Sequence, residues 1–406
     1  MARPALQVAD VFRRHGEAYR QTNAGHLDRC QYRVMAAIEA CRTAALGGHV
    51  LRCTACGLNE ISYCSCRDRH CPTCQGSAAR AWLEARQADL LPVEYFHVVF
   101  TLPQQIAAIA YQNKEVGYAL LFEAAAETLK TIARDSKHLG AEIGFTAVLH
   151  TWGQTLIHHP HVHCIVPGGG LAPDGASWIA SRPGYFVPER VLANLFRGKF
   201  LGKLVAAYKD GRLQFFSDLA QLTEPDAFSA YLAPLWRLDW VVDCKQPFAG
   251  PEQVLRYLSR YTHRVAISDH RLVEVTDDHV TFTWKDYSDD SRIKQMTLSS
   301  AEFMRRFLLH VLPDGFQRIR HYGFLANGNR QAKLARIREL LPPALLHPVV
   351  SAPGDTNTAT LQPKGAAPTT ADDEWQPTCP ECGCHMEIVQ ELPKARRDSA
   401  HWIDTS

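Results

Sequence analysis

Apolar side chains in the first 46 residues recur at helical spacing: Val8, Val11, Phe12 and Tyr19, then Leu27, Val34, Met35, Ile38 and Cys41. The series breaks at Thr22-Asn23-Ala24-Gly25, so two helices are predicted, each with one buried face. From residue 93 the pattern changes to β-rich runs at 93–102, 144–150 and 161–166. Residues 104–138 between the first two runs are rich in Ala, Leu, Glu and Lys, which predicts strand–helix–strand order. Residues 189–234 read as helical again, and 236–243 as a strand. A helix opened by Pro251 is predicted at about 251–262, then hairpin strands over 264–298 turning at Asp277-Asp278, then basic helices at about 300–341. Pro, Ala, Thr, Gly and Asp dominate 342–377, a composition too poor in bulky apolar groups to offset chain entropy, so a disordered linker is expected there. The expected organisation is a helical and cysteine-bearing unit at 1–80, a main unit at 81–341 with a helical insertion at about 189–234, the linker, and a small cysteine-bearing tail at 378–406.

Composition narrows the function classes. Apolar residues make up 46% and charged residues 21% of the 406, an ordinary globular balance. Lys plus Arg exceed Asp plus Glu by two, which excludes a strongly basic nucleic-acid coat protein but not a local basic channel. No apolar run approaches the roughly 18–20 residues of a membrane span. The first ten residues include a charge and no apolar signal core, so a cytoplasmic protein with no membrane partner is expected.

Thirteen cysteines are many for a reducing compartment, and they are clustered. Random placement would give about 0.4 Cys-x-x-Cys pairs; the chain has three, at 53/56, 71/74 and 379/382. A two-residue gap lets one tight turn aim both thiolates at an ion, and two such turns complete a tetrahedron. Cys53, Cys56, Cys71 and Cys74 are therefore expected to hold a structural Zn²⁺, with Cys66 and His70 as possible further ligands. Arg67 and Arg69 within this cluster suggest phosphate contacts. Cys379-Pro-Glu-Cys382-Gly-Cys384-His385 reads as half of a further knuckle with no second pair in view.

His161-Val162-His163 alternates like a strand, so both imidazoles share one face and could chelate a divalent ion with an open side. Gly168-Gly-Gly170 would then let backbone approach a ligand closely. Tyr257 and Tyr261 are four apart on the predicted helix, so their hydroxyls emerge together, beside a stripe of Arg256, Arg260 and Arg264. Near metal and arginines, a phenol with an ordinary pKa near 10 becomes a usable nucleophile. Attack on DNA would leave a 5′-phosphotyrosine and a free 3′-hydroxyl. Eight cations against three carboxylates over 302–341, with Arg330, Lys333 and Arg336 on related helical faces, suggest a groove for a DNA backbone.

His161-Val-His163 resembles the HUH motif, and Tyr257/Tyr261 resembles the paired tyrosines of HUH single-strand nucleases. With the block Cys64-Ser-Cys-Arg-Asp-Arg-His-Cys-Pro-Thr-Cys74 and the run His150-Thr-Trp-Gly-Gln154, the chain resembles the insertion-sequence ninety-one family of rolling-circle transposases over about 10–340. The resemblance implies an α+β fold: an HUH nuclease core with an antiparallel sheet flanked by helices, preceded by a small helical and zinc-binding domain. It implies single-stranded DNA at transposon ends and target as partner. It also implies Mg²⁺ or Mn²⁺ at His161 and His163, and Tyr257 and Tyr261 as nucleophiles. A third metal ligand is expected but unassigned, with Gln154, Gln253 and His150 as candidates. Two other readings stay open at this point: a plasmid replication initiator or relaxase-like HUH endonuclease, and a non-catalytic zinc-dependent DNA-binding protein.

Overall fold

The structure is a computed structural model that describes residues 5–245, 253–254, 265–341 and 377–395. Residues 342–376 of the predicted 342–377 linker lie outside the described residues, as do Arg256, Tyr257, Arg260, Tyr261 and Arg264.

The two N-terminal helices form where the periodicity places them, α1 at Val8–Thr22 and α2 at Arg29–Ala40. Asp28 caps α2 by accepting from the Gln31 amide at 2.7 Å, which fixes its start. Strands β1 (Gly48–Cys53) and β2 (Asn59–Tyr63) follow, then α3 (Gln75–Gln87). Strand β3 (Tyr95–Thr101) leads into α4 (Gln104–Gln112) and α5 (Lys114–Arg134), and β4 (Phe145–Trp152) into β5 (His158–Pro167). The short β6 (Gly169–Leu171) and β7 (Trp178–Ala180) precede α6 (Glu189–Lys209), α7 (Pro225–Leu232) and β8 (Val242–Lys245). Three strands, β9 (Leu272–Val275), β10 (His279–Asp286) and β11 (Arg292–Ser299), then α8 (Ser300–Leu308), β12 (Ile319–Tyr322) and α9 (Arg330–Leu340) complete the main body. The tail contributes β13 (Met386–Leu392).

The central sheet runs β12-β4-β5-β3-β8, and every pairing in it is antiparallel. Alternation along its strands sorts the side chains. Phe96, Val98 and Phe100 of β3, Phe145, Ala147 and Leu149 of β4, and Val162, Cys164 and Val166 of β5 all enter one core with the apolar faces of α4, α5 and α6. The opposite face therefore receives His97, His150, His161 and His163. The protein is an α+β fold with antiparallel sheets flanked by helices.

A second core joins α1 and α2 to β10, α8 and residues 266–267, so it crosses the boundary that the sequence suggests near residue 80. Long-range bonds tie it together: the Val8 amide donates to Asp269 Oδ1 at 2.9 Å, and Gln31 Nε2 donates to the Leu308 carbonyl at 3.2 Å. Two expectations are corrected here. The 300–341 segment is not helical throughout, because Ile319–Tyr322 supplies an edge strand against β4. Gly168, Gly169 and Gly170 serve chain packing: a Cβ at Gly169 would lie 2.6 Å from the Ile179 carbonyl oxygen, and one at Gly170 2.6 Å from that of Glu142.

Candidate metal and DNA-processing site

His161 lies directly opposite His150 in the β4–β5 register, and His163 follows two residues along on the same face. Ligand nitrogens of His150, His161 and His163 all lie within 4.8 Å of one another. His150 thus stands where a third ligand could come from. His150 and His163 are buried, whereas His161 is half-buried, which leaves the cluster one open side.

The surroundings fix the ring orientations. His161 Nδ1 lies 2.7 Å from the His159 carbonyl, which can only accept, so Nδ1 carries the proton and Nε2 keeps its lone pair. His163 Nδ1 meets Nε2 of His97 at 2.7 Å, leaving His163 Nε2 to face the cluster. His150 is stacked on Trp152, with ring centroids 4.5 Å apart. Burial holds His161 down to about 4 and His97 to about 3, and pushes His163 well below the ordinary imidazole value. Neutral imidazoles are what a divalent ion needs, so the trio fits one.

The other candidate ligands lie elsewhere. Gln154 faces β10, where its Nε2 is 3.5 Å from Tyr287 Oη and its Oε1 3.5 Å from the Lys285 amide. Gln253 is exposed. His70 is a scaffold residue: its Nδ1 is 3.1 Å from Asp68 and its Nε2 accepts from the Leu312 amide at 3.2 Å.

The zinc expectation needs a regrouping. Cys53, Cys56, Cys71 and Cys74 do not surround one point. Cys71 and Cys74 converge with Cys41 and Cys66, whereas Cys53 and Cys56 converge with Cys379 and Cys382, each group within 4.8 Å. Cys64 belongs to neither. Spacing reported the turns correctly but not which turns face each other. In the first group Cys66 Sγ and Cys74 Sγ are 3.7 Å apart, close to the roughly 3.8 Å edge of a zinc–sulfur tetrahedron with 2.3 Å bonds. Neighbouring thiols donating to Cys41 hold it far below the ordinary thiol range. Amides of Cys66 and Asp68 each point at a sulfur at 3.5 Å. Cys41, the end of α2's apolar series, was legible as a ligand only from the need for a fourth thiol.

The basic residues divide by what holds them. Arg69 donates to the carbonyls of Phe316 and, at 2.7 Å, Pro313, so it is a structural tie and not a phosphate contact. Arg330 is 3.5 Å from the buried Asp89 carboxylate. Arg67 and Lys333 are exposed, and Arg336 makes an exposed 2.9 Å pair with Glu339.

Residue Val254, at the start of the segment that bears the tyrosines, is fully buried against Tyr95 and Ile165. Alternation puts Ile165 on the face of His163 and His161, and Tyr95 on the face of His97. Val254 itself therefore lies on the histidine side of the sheet.

Comparison with known proteins agrees with this architecture. Residues 11–102 match the family described as "Transposase zinc-binding domain", and residues 144–333 match that described as "Putative transposase". A relative named "Putative transposase y4qJ", from Sinorhizobium fredii, is 63% identical over 84% of this chain and 85% of its own length. The chain belongs to the insertion-sequence ninety-one family of transposases. A second relative, "Transposase for insertion sequence element IS801" from Pseudomonas savastanoi, is 28% identical over 86% of this chain and 80% of its own length. No solved structure matches the transposase. It is a DNA-processing protein of an insertion sequence, with an N-terminal zinc-binding region. Among the described residues no helix is long and apolar enough to cross a membrane.

Proposed function

We propose that this transposase cuts one DNA strand at the ends of its element through a tyrosine hydroxyl and passes that strand on in rolling-circle transposition. Tyr257 and Tyr261 are the nucleophiles, and His150, His161 and His163 hold the divalent ion. The observation that carries the reading is Val254. Val254 stands three residues before Tyr257 in the sequence and shares a buried cluster with Ile165. Ile165 itself is two positions, about 7 Å, along β5 from His163. On the helix that the sequence predicts, Tyr261 follows one turn later.

A divalent ion at the histidines supplies Lewis acidity and charge for the scissile phosphate. The protein supplies the rest. His161 and His163 stay neutral, and the His159 carbonyl and His97 fix their rings. The phenolic oxygen forms the new bond to phosphorus as it loses its proton, and the bond from phosphorus to the 3′ oxygen breaks. That oxygen takes up a proton and leaves as a 3′-hydroxyl. The phosphodiester is conserved in the phosphotyrosine, so the 3′-hydroxyl of another strand reverses the step without ATP. A second tyrosine permits a second cut while the first link persists. Three nitrogen donors favour Mn²⁺ over Mg²⁺, which prefers oxygen ligands and keeps its waters. Arg67, Lys333 and Arg336 face outward where they can meet the DNA backbone.

The test is incubation with end-labelled single-stranded terminus DNA and Mn²⁺, followed by denaturing electrophoresis. A covalent protein–DNA adduct is expected, and it should be lost in Tyr257→Phe/Tyr261→Phe and in His161→Ala/His163→Ala proteins. An undiminished adduct in the double Phe variant overturns the nucleophile assignment.

A further inference from the structure

Two matching turns face each other across the β1–β13 pairing. Cys53-Thr-Ala-Cys56-Gly57 and Cys379-Pro-Glu-Cys382-Gly383 share more than spacing. In each, the glycine has φ +73° and its amide returns to the carbonyl of the first cysteine, at 3.1 Å in one and 2.9 Å in the other. In each, the first cysteine's amide donates to the carbonyl five residues on, Leu58 or Cys384, at 2.8 Å. Such repetition of one turn aims two thiol pairs at a single point.

The sulfurs confirm the aim. Cys53 and Cys382 are 3.4 Å apart, Cys56 and Cys379 3.6 Å, and Cys56 and Cys382 3.7 Å. A mononuclear tetrahedron of thiolates around zinc requires about 3.8 Å along each edge. The apolar core beside them is too small to hold the strands unaided: Leu51, Cys53, Cys379 and Met386 are buried, with Leu58 alongside. On β13, Glu387 to Glu391 are all exposed. A sheet with so little buried surface needs a metal or another staple.

We infer that Cys53, Cys56, Cys379 and Cys382 hold a second structural zinc ion, which clamps the C-terminal strand onto the N-terminal zinc-binding region. The two cysteines that complete it lie outside both stretches matched to known families. The clamp makes the chain a closed ring running from residue 56 through the nuclease body and back to residue 379. It also gives β1 partners on both edges, β2 on one side and β13 on the other. The inference is independent of the nucleophile assignment above.

Metal analysis of the full-length protein tests it. Two zinc ions per chain are expected, falling to one in Cys379→Ser/Cys382→Ser, with the Cys41 site retained. One zinc in the wild type, two in the double variant, iron in place of zinc, or a disulfide-linked tail would each overturn it. A second measurement does not depend on the variant folding. A protease site is inserted between residues 342 and 376 and cut in the zinc-loaded protein. The tail fragment should co-elute with the body and separate on addition of a chelator. Separation while zinc is bound, or retention after zinc is stripped, refutes the clamp.

Discussion

Replacing His97 by leucine isolates a residue that acts on the candidate metal site without touching DNA. For His163 to present Nε2 to an ion, its neutral ring must keep the proton on Nδ1, and that N–H donates to His97 Nε2 across 2.7 Å. The leucine side chain fills the buried space but removes the acceptor. Loss of a buried hydrogen-bond partner costs about 1–3 kcal/mol, or roughly 5–150-fold in an equilibrium constant. Removing the residue that orients a ligand costs about 10–100-fold in metal affinity, the same range. Adduct formation titrated with Mn²⁺ should therefore shift its midpoint upward by about one to two decades and reach the wild-type plateau. His97→Gln, whose amide oxygen can still accept, should recover most of the shift. Direct Mn²⁺ binding by calorimetry should move in step, and the thermal melting profile reports whether the fold is intact. An unchanged midpoint, or a lowered plateau at an unchanged midpoint, would refute the role of His97 in setting the ligand geometry.

Val254→Ala removes two buried methyl groups, about 1.6 kcal/mol of transfer free energy; adduct yield should fall severalfold with the Mn²⁺ midpoint unchanged, and an unaffected yield would show that Val254 does not anchor the tyrosine segment. Arg69→Ala should lower stability by about 3–6 kcal/mol, two lost charged hydrogen bonds at roughly 1.5–3 kcal/mol each, while Lys333→Ala should leave the melting temperature alone and reduce the salt slope of DNA binding by about one unit. Burial holds His310 at about 3 and His321 at about 4. Unfolding returns both toward 6.5, so the unfolded chain binds more protons across that interval. Stability from these groups is complete above pH about 6.5 and is lost as pH falls toward 4; melting temperatures measured across this range should decline, and less steeply in a His310→Gln protein.

The elements that were legible in the sequence are those written in local periodicity. Helices α1 and α2, strands β3, β4 and β5, and the β9–β10 hairpin turning at Asp277-Asp278 follow from spacings of two and of three to four and from the turn residues. What was not legible depends on encounters between distant residues. A thiol packs like a small apolar group, so Cys41 read as the last position of α2's buried stripe. Cys53/56 and Cys71/74 make the same kind of turn, and turn geometry does not say which pair faces which. The four residues of β12, Ile319–Tyr322, are all half-buried on a sheet edge, too short to show alternation among the arginines around them. His97 sat in plain view in a predicted strand, yet its importance depends on strand order: β3 must lie beside β5 for the two imidazoles to meet.

That strand order also separates two kinds of candidate metal site within one chain. Four thiolates around a dication enclose it and leave the group with net negative charge, so such an ion can stabilise a fold but cannot attract a phosphate. Three neutral imidazoles leave both positive charges of the ion in place and one side open, the condition for polarising a phosphodiester. The thiol groups sit in turns around α2, β1 and the tail, away from the sheet's interior. The imidazoles project from its two central strands, whose other face is the largest apolar core in the described protein. A stiff, doubly paired strand is the support that keeps three desolvated rings converged. It follows that chelating the thiol-bound zinc should disturb the ends of the chain before it disturbs the histidine cluster.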